Sequence, residues 1–371
     1  MQKSVCLLLF GNIKYDGRVQ KEIETILEHD YNPTLIVSSF DTKNDKQENY
    51  SFPIINLKVK LKNNPIRNLG ILYDFWKKAF RQLKRIKPEI VHCNDLDTLY
   101  AGHLYKKEHP NTKLIYDAHE LFPESKSGLG QTFFWNQIEK AVIHSADEII
   151  VPEKNRANYL EKKYKISKIT ILENFPRKIK IQDAESNFFA NKVEDSESKV
   201  KILYLGAINK NRELDTIIKA FEGLSSNYTL QIVGSGKESY IEELKAIVNA
   251  LNLKNQVYFH APVSQKQVIN VINSSDIGLV FYKNNNINNY YCASNKLFEF
   301  IACNIPVITN DFPGLVEIVK EMNKGICISK IAPKNIQNAI KRIHTHETTI
   351  ETKGKFYWDE IKEKLLKIYN S

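Results

Sequence analysis

Short runs of β-branched and aliphatic residues alternate with longer stretches of helical periodicity along nearly the whole chain, and this limits the fold more than any other feature. In the first half the strand candidates are Ser4–Phe10, Thr34–Ser38, Ile54–Val59, Ile90–His92, Leu114–Tyr116, Glu148–Val151 and Ile169–Leu172. Helical stretches such as Val19–Leu27 and Tyr100–Lys107 separate them. Repeated strand–helix–strand units predict parallel sheets covered by helices, an α/β fold. The second half repeats the plan with strands near Lys201–Leu205, Thr229–Val233, Val257–His260, Ile277–Phe281, Val307–Thr309 and Ile326–Ile328. A chain of 371 residues exceeds what one core commonly holds. Two doubly wound domains are therefore expected, 1–176 and 200–355, joined by a polar linker over 177–199. Open parallel sheets bind ligands beyond the carboxyl ends of their strands, so the loops there are expected to line a cleft.

Bulk properties narrow the function. The N-terminal apolar run Val5–Phe10 is short and is followed at once by polar residues, which predicts a cytoplasmic protein without a signal peptide or membrane span. Cys6, Cys93, Cys292, Cys303 and Cys327 are odd in number and form no C-x-x-C, which predicts reduced thiols with neither a disulfide framework nor a structural zinc site. Of the net charge of +10, ten basic residues against Asp74 alone place +9 between Lys58 and Lys87. Within that segment Leu72, Phe75, Trp76, Ala79, Leu83 and Ile86 recur at helical spacing, giving an amphipathic basic helix over 70–87. Its ordinary role is packing on a sheet with a solvated basic face. Its functional reading is attachment to an anionic membrane surface, peripheral on the inner face. No recognition motif accompanies the charge, so nucleic acid is not expected as a partner.

The loops after the strands supply the site candidates. Gly11, Asn12 and Gly17 surround a polar loop that opens a helix, where backbone N–H groups can approach a phosphate or sugar. Spacing excludes a P-loop and G-x-G-x-x-G, and a plain strand-to-helix turn capped near Asp16 fits equally well. Asp95 and Asp97 form a D-x-D that could bridge a divalent cation to a diphosphate, although a structural role, as cap or first-turn residues of the following helix, is the weightier reading. Asp117, His119 and Glu120 gather a histidine and two carboxylates after a strand, a place suited to hydrogen bonding or proton handling. In the second half Gly206 leads to Lys210 and Arg212, either of which could neutralise a diphosphate, with the planar fork of arginine preferred. Gly234-Ser235-Gly236 is a further close-approach turn.

The segment Ser294–Ile308 reads as a helix of about ten residues, capped by Ser294 and ended by Asn304 before Pro306. It sets Asn295, Lys296 and Glu299 at a helix start, where N–H groups favour an anion while the carboxylate suits hydroxyls.

Taken in order, these segments resemble the retaining glycosyltransferases of family 4. The resemblance runs through Asp16-Gly17-Arg18-Val19 with Lys21-Glu22, Val91-His92 with Asp95, and Ile115-Tyr116-Asp117-Ala118-His119-Glu120. It continues through Asn174, Leu205-Gly206, Arg212, Val233-Gly234-Ser235-Gly236, Ser275-Asp276-Ile277-Gly278 and Lys296-Leu297-Phe298-Glu299. It implies the GT-B fold, two Rossmann-like domains facing a cleft, with a C-terminal helix over 356–371 crossing back to the first domain. It also implies retaining transfer of a sugar from a nucleotide diphosphate donor, with UDP preferred, to a glycan or lipid-linked acceptor, with no metal and no cofactor. By the same resemblance His119 touches the donor sugar, Arg212 holds the diphosphate and Glu299 binds the ribose hydroxyls. Lys296 is expected to assist at the diphosphate, since Ala207 stands where the family often carries a basic residue. Tyr291 stands near the place of the first of two family glutamates, which leaves the donor-sugar contact open. Envelope polysaccharide assembly is the expected setting. A UDP-sugar epimerase of the same architecture and a non-catalytic nucleotide-sugar-binding scaffold are the alternatives.

Overall fold

The computed structural model describes residues 2–40, 50–59, 65–126, 128–178, 188–189, 199–264, 267–292, 294–345 and 356–371. Its first sheet is built from Lys3–Leu9 (β1), Tyr31–Phe40 (β2), Ile54–Val59 (β3), Ile90–Asn94 (β4), Lys113–Asp117 (β5), Glu148–Val151 (β6) and Ile169–Ile171 (β7). Their order is β3-β2-β1-β4-β5-β6-β7, and every pairing is parallel. The second sheet holds Val200–Leu205 (β8), Tyr228–Val233 (β9), Val257–His260 (β10), Ile277–Val280 (β11), Val307–Asn310 (β12) and Gly325–Ile328 (β13) in the order β10-β9-β8-β11-β12-β13, again all parallel. Each of the thirteen strands answers one apolar run of the sequence. Burial on both sheet faces explains why those runs are continuous rather than alternating.

Helices Gly17–Leu27 (α1), Pro65–Ile86 (α2), Leu96–Glu108 (α3), Leu129–Val142 (α4) and Lys154–Tyr164 (α5) belong to the first half. The second half carries Leu214–Ala220 (α6), Glu238–Ala250 (α7), Val268–Asn273 (α8), Ile287–Tyr290 (α9), Asn295–Ala302 (α10), Pro313–Met322 (α11) and Pro333–Thr345 (α12), and Trp358–Asn370 (α13) ends the chain. Two compact units result, Met1–Glu173 with Ile361–Ser371, and Asn174–Glu360. The two GT-B-type Rossmann-like layers expected from the sequence are thus present, each with its own core. Of the linker expected over 177–199, residues 179–187 and 190–198 lie outside the described residues. Phe189, within that span, is fully buried against Leu203, Val271 and Phe300 of the second unit.

Helix α13 contributes its last three turns to the first unit. Tyr31 donates to Asn370 Oδ1 at 2.7 Å, Lys362 pairs with Glu28 at 2.7 Å, and Lys364 pairs with Glu173 at 2.9 Å. Lys113 Nζ donates to the Ile368 carbonyl near the end of that helix, where a cation is favoured.

The basic helix has the two faces its periodicity predicts. Leu72, Phe75, Trp76, Ala79 and Leu83 are buried, whereas Lys77, Arg81, Lys84, Arg85 and Lys87 are exposed. Trp76 donates its indole N–H to the Asp97 carbonyl at 2.6 Å, tying α2 to the start of α3. Among the described residues no helix is long and apolar enough to cross a membrane. All five cysteines are free, and burial raises the Cys6 and Cys93 thiols far above their ordinary range, which leaves them unreactive.

Candidate active site

In the first unit the carboxyl ends of β1, β4 and β5 bring a charged cluster together. Arg18, in the first turn of α1, forks onto Asp117 with Nε 2.8 Å from Oδ2 and Nη2 3.0 Å from Oδ1. Its Nη1 donates to the Leu172 carbonyl at 2.9 Å, and Nε also stands 3.1 Å from Glu22 Oε1. His92 Nε2 faces Glu22 at 3.8 Å and Asp117 at 3.7 Å. His119 completes the group, with Nε2 3.5 Å from Asp117 Oδ2 and Nδ1 3.6 Å from Asp95 Oδ2.

Burial and charge divide the roles. Burial works against ionisation of Asp117, yet Arg18 and His119 hold its carboxyl well below the usual range. Burial also opposes the charge on His119, but Asp95 and Asp117 on either side raise its imidazolium to about 10. For Glu22 burial and then the neighbouring Asp117 push the carboxyl well above the usual range, so it is held neutral. Burial lifts Asp95 to about 7 against the pull of His119. At neutral pH the cluster is therefore a cationic imidazole, 18 % exposed, on a buried ionic base. Glu22, His92 and Asp117 have metal-ligand spacing. The Arg18 guanidinium already forks onto Asp117 and stands 3.1 Å from Glu22, so a cation of the chain itself occupies the place beside these acids, which suits an ion-pair network better than a divalent cation.

Asp97 lies in the first turn of α3, as the structural reading of the D-x-D expects, while Asp95 plays its structural part differently from a cap. It stands at the N-cap with φ 62°, but its side chain makes no cap and instead accepts from the His119 backbone N–H at 3.0 Å. Glu120 accepts from Ser125 Oγ at 2.7 Å, turned to its own loop. Asn12 accepts from Lys14 N, and Asp16 accepts from Arg18 N and Val19 N. The Gly11–Gly17 loop is thereby a capped turn that aims Arg18 inward.

In the second unit the site is built around α10. Ser294 caps it as expected, accepting from Leu297 N at 3.3 Å, and Asn304 adopts the left-handed conformation with φ 64°. The helix spans 8 residues rather than about ten. Asn295 Oδ1 accepts from Asn174 Nδ2 at 2.9 Å, which fastens the segment after β7 to the helix start. Glu299 lies one turn further, half-buried.

Lys296 Nζ reaches over the Tyr204 ring, 5.0 Å from its centroid, and packs on Gly206. Gly206 has φ +129°, and a Cβ there would meet Lys296 Cε at 2.5 Å. Gly234, with φ +158°, brings its backbone against the Gly206 carbonyl, where a Cβ has no room. These two positions require glycine. Arg212 stacks on Tyr282 with Cζ 4.2 Å from the ring centroid, and the Tyr282 hydroxyl donates to Ser294 Oγ at 3.0 Å. The buried Arg212 Nε has no hydrogen-bond acceptor among the described residues. Burial, then the charge of Arg212, lowers the Lys296 ammonium to about 7, opposed by Glu299. Lys210, the other basic candidate of this loop, is exposed and pairs with Glu243 at 3.1 Å, so it does not join the cluster. Ala207 accepts from the Tyr204 hydroxyl at 2.6 Å through its carbonyl, and Tyr291 stacks on Tyr290 with ring centroids 5.1 Å apart.

Sequence reasoning did not single out Glu22, His92, Tyr204 or Tyr282 as site residues. Their signal was positional: each lies near the carboxyl end of a strand or in the first turns of the helix that follows.

A two-sheet parallel architecture with a cationic turn in the second unit is that of the GT-B glycosyltransferases. The family described as Glycosyltransferase Family 4 matches residues 23–175, and the family described as Glycosyl transferases group 1 matches residues 185–356. The chain belongs to the family 4 type of GT-B glycosyltransferases and is an enzyme of that class. An uncharacterized glycosyltransferase of Methanocaldococcus jannaschii is 24% identical over 367 residues, covering 89% of this chain and 86% of its own. Sucrose-phosphate synthase from Thermosynechococcus elongatus shares the fold with a TM-score of 0.81 at 16% identity, over 99% of this chain and 98% of that one. Anabaena HepE in complex with UDP-glucose gives a TM-score of 0.73 at 14% identity, over 99% of each chain.

Proposed function

We propose that this chain is a retaining glycosyltransferase that moves a sugar from a nucleotide diphosphate, with UDP preferred, to a hydroxyl of a glycan or lipid-linked acceptor. The observation that carries the reading is the pair of cations Arg212 and Lys296, which have no carboxylate partner within ion-pair distance among the described residues and sit beside the capped start of α10. Such a pair, with a depressed ammonium, suits a polyanion. The likeness in fold to HepE, solved with UDP and with UDP-glucose, supports UDP as the nucleotide.

In the proposed reaction the acceptor oxygen forms a bond to the anomeric carbon, and the bond from that carbon to the diphosphate breaks with its electron pair going to the diphosphate. The acceptor proton passes to the leaving phosphate oxygen, so no separate side-chain base is required. Negative charge grows on the diphosphate as the bond lengthens, and the fixed cations Arg212 and Lys296 stabilise that state more than the bound donor. Charge neutralisation therefore comes from side chains, and the proposal involves no metal. Glu299 is assigned to the ribose hydroxyls and His119 to the donor sugar. The remaining substrate-binding assignments are Gly11, Asn12, Gly17, Asp95, Glu120, Asn174, Gly206, Gly234, Ser294 and Asn295.

The exposed basic face of α2 suits an anionic membrane surface and so supports a peripheral enzyme on the inner face of the membrane; envelope polysaccharide assembly is part of the same proposal. The test is to incubate the chain with a panel of nucleotide sugars, with and without acceptor sugars, and to follow nucleotide release and product anomers by NMR. Acceptor-dependent release of UDP with retained configuration, lost in Glu299→Ala, supports the proposal. Conversion of the donor alone to another nucleotide sugar indicates an epimerase, and no release from any donor indicates a scaffold; either would overturn it.

A further inference from the structure

Tyr369, on the last turn of α13, is fully buried, and its hydroxyl stands 2.5 Å from His92 Nδ1 across 277 residues of sequence. His92 is equally buried, and its other nitrogen faces Asp117 Oδ2 at 3.7 Å and Glu22 Oε2 at 3.8 Å. A neutral imidazole carries one N–H, so the direction of the tyrosine hydrogen bond fixes which nitrogen has it. With the proton on Nδ1, the Nε2 lone pair would point at the ionised Asp117, the nearer of the two acidic groups it faces. With the proton on Nε2, the phenol donates to Nδ1 and the ring presents an N–H to Asp117. Burial keeps His92 neutral, which makes the tautomer decisive.

Three groups converge on one oxygen, Asp117 Oδ2: Arg18 Nε at 2.8 Å, His92 Nε2 at 3.7 Å and His119 Nε2 at 3.5 Å. Only His119 of these is partly exposed, at 18 %. We propose that Tyr369 and His92 are positioning residues: the hydroxyl of the C-terminal helix fixes the Nε2–H tautomer of His92, whose N–H edge, 3.7 Å from Oδ2 and beyond hydrogen-bond distance, stabilises electrostatically the Asp117 carboxylate that flanks His119. The end of the chain thus reaches the site through Tyr369, His92 and Asp117 in turn. The kinetic consequence rests on the glycosyl-transfer reading, whereas the tautomer is a property of the protein alone.

Long-range nitrogen–proton NMR of the imidazoles tests the tautomer directly. The wild-type chain is expected to show His92 as a neutral Nε2–H ring, and Tyr369→Phe is expected to populate the Nδ1–H form. The same substitution is expected to lower kcat for nucleotide-sugar turnover about tenfold, as misplacement of a site group does, while the Kd for UDP stays unchanged. His92→Gln supplies an amide with no tautomer to fix, so Tyr369→Phe in that background is expected to bring no further loss. An Nδ1–H ring in the wild type, or an equal kcat cost of Tyr369→Phe in both backgrounds, would overturn the proposal. The wild-type tautomer needs no variant, so the proposal stays testable if Tyr369→Phe fails to fold. Absence of turnover with every nucleotide sugar would count against the functional reading and leave the tautomer to decide the positioning role.

Discussion

Lys296 and Gly206 are fitted to one another: the ammonium end of the lysine occupies the space that a side chain at position 206 would fill. The lysine is led there by the capped start of α10 and rests over Tyr204 at 5.0 Å. An ammonium so placed feels the charge of Arg212 more than the opposing charge of Glu299, an arrangement that favours a bound anion.

This fit predicts different outcomes at two neighbouring glycines. Gly206→Ala meets the flexible end of Lys296, so the side chain is displaced and UDP affinity falls about tenfold, or ~1.4 kcal/mol, on top of the strain that a side chain meets at φ +129°. Gly234→Ala is strained likewise and also meets the Gly206 backbone carbonyl, which cannot move aside, so its loss of stability is the larger of the two. Urea unfolding and UDP calorimetry on both variants separate the two effects.

Arg18 is predicted to be structural. Its removal in Arg18→Ala leaves Asp117 buried without its main counter-charge and should cost about 3–5 kcal/mol in unfolding free energy. Arg18→Lys recovers only part of this, because an ammonium cannot reproduce the two-pronged contact.

The strands and the α10 cap were legible because each depends on local chemistry. Continuous apolar runs gave thirteen parallel strands, and Ser294 and Asn304 marked their helix ends. The charged cluster of the first unit was legible only in part. Asp117, His119 and Asp95 were visible as a polar loop, but Arg18 reaches Asp117 across 99 residues and Tyr369 reaches His92 across 277, pairings that only the packed fold creates. A structural place for Asp95 was legible, but not its partner: a strand-to-helix aspartate commonly bonds its own helix, whereas here the His119 N–H takes it. The planar fork of arginine favoured Arg212 over Lys210 already in the sequence, and in the fold the α7 residue Glu243 draws Lys210 away.

His119 should make stability fall on the alkaline side. Its ionisation is raised from 6.5 to about 10 in the folded chain, because Asp95 and Asp117 outweigh burial. The stabilisation is complete below the unfolded value of about 6.5 and is lost as pH rises through about 10. The drop in Tm between those limits should be smaller in His119→Gln, and an identical drop would contradict the assignment.

The exposed basic face of α2 predicts flotation with vesicles rich in anionic lipid at low salt, and none with neutral ones. Replacing Lys77, Arg81, Arg85 and Lys87 by Gln removes about 1 kcal/mol of attraction each and should abolish flotation while leaving UDP binding intact.

Calorimetry of UDP binding at several pH values tests the central claim most directly. If Arg212 and Lys296 hold the diphosphate, UDP binds more tightly than uridine, and binding above pH about 7 draws a proton onto Lys296. Affinity then weakens as pH rises, and Lys296→Ala abolishes both the proton uptake and this pH dependence. Equal binding of UDP and uridine, or proton uptake unchanged in Lys296→Ala, would contradict the account.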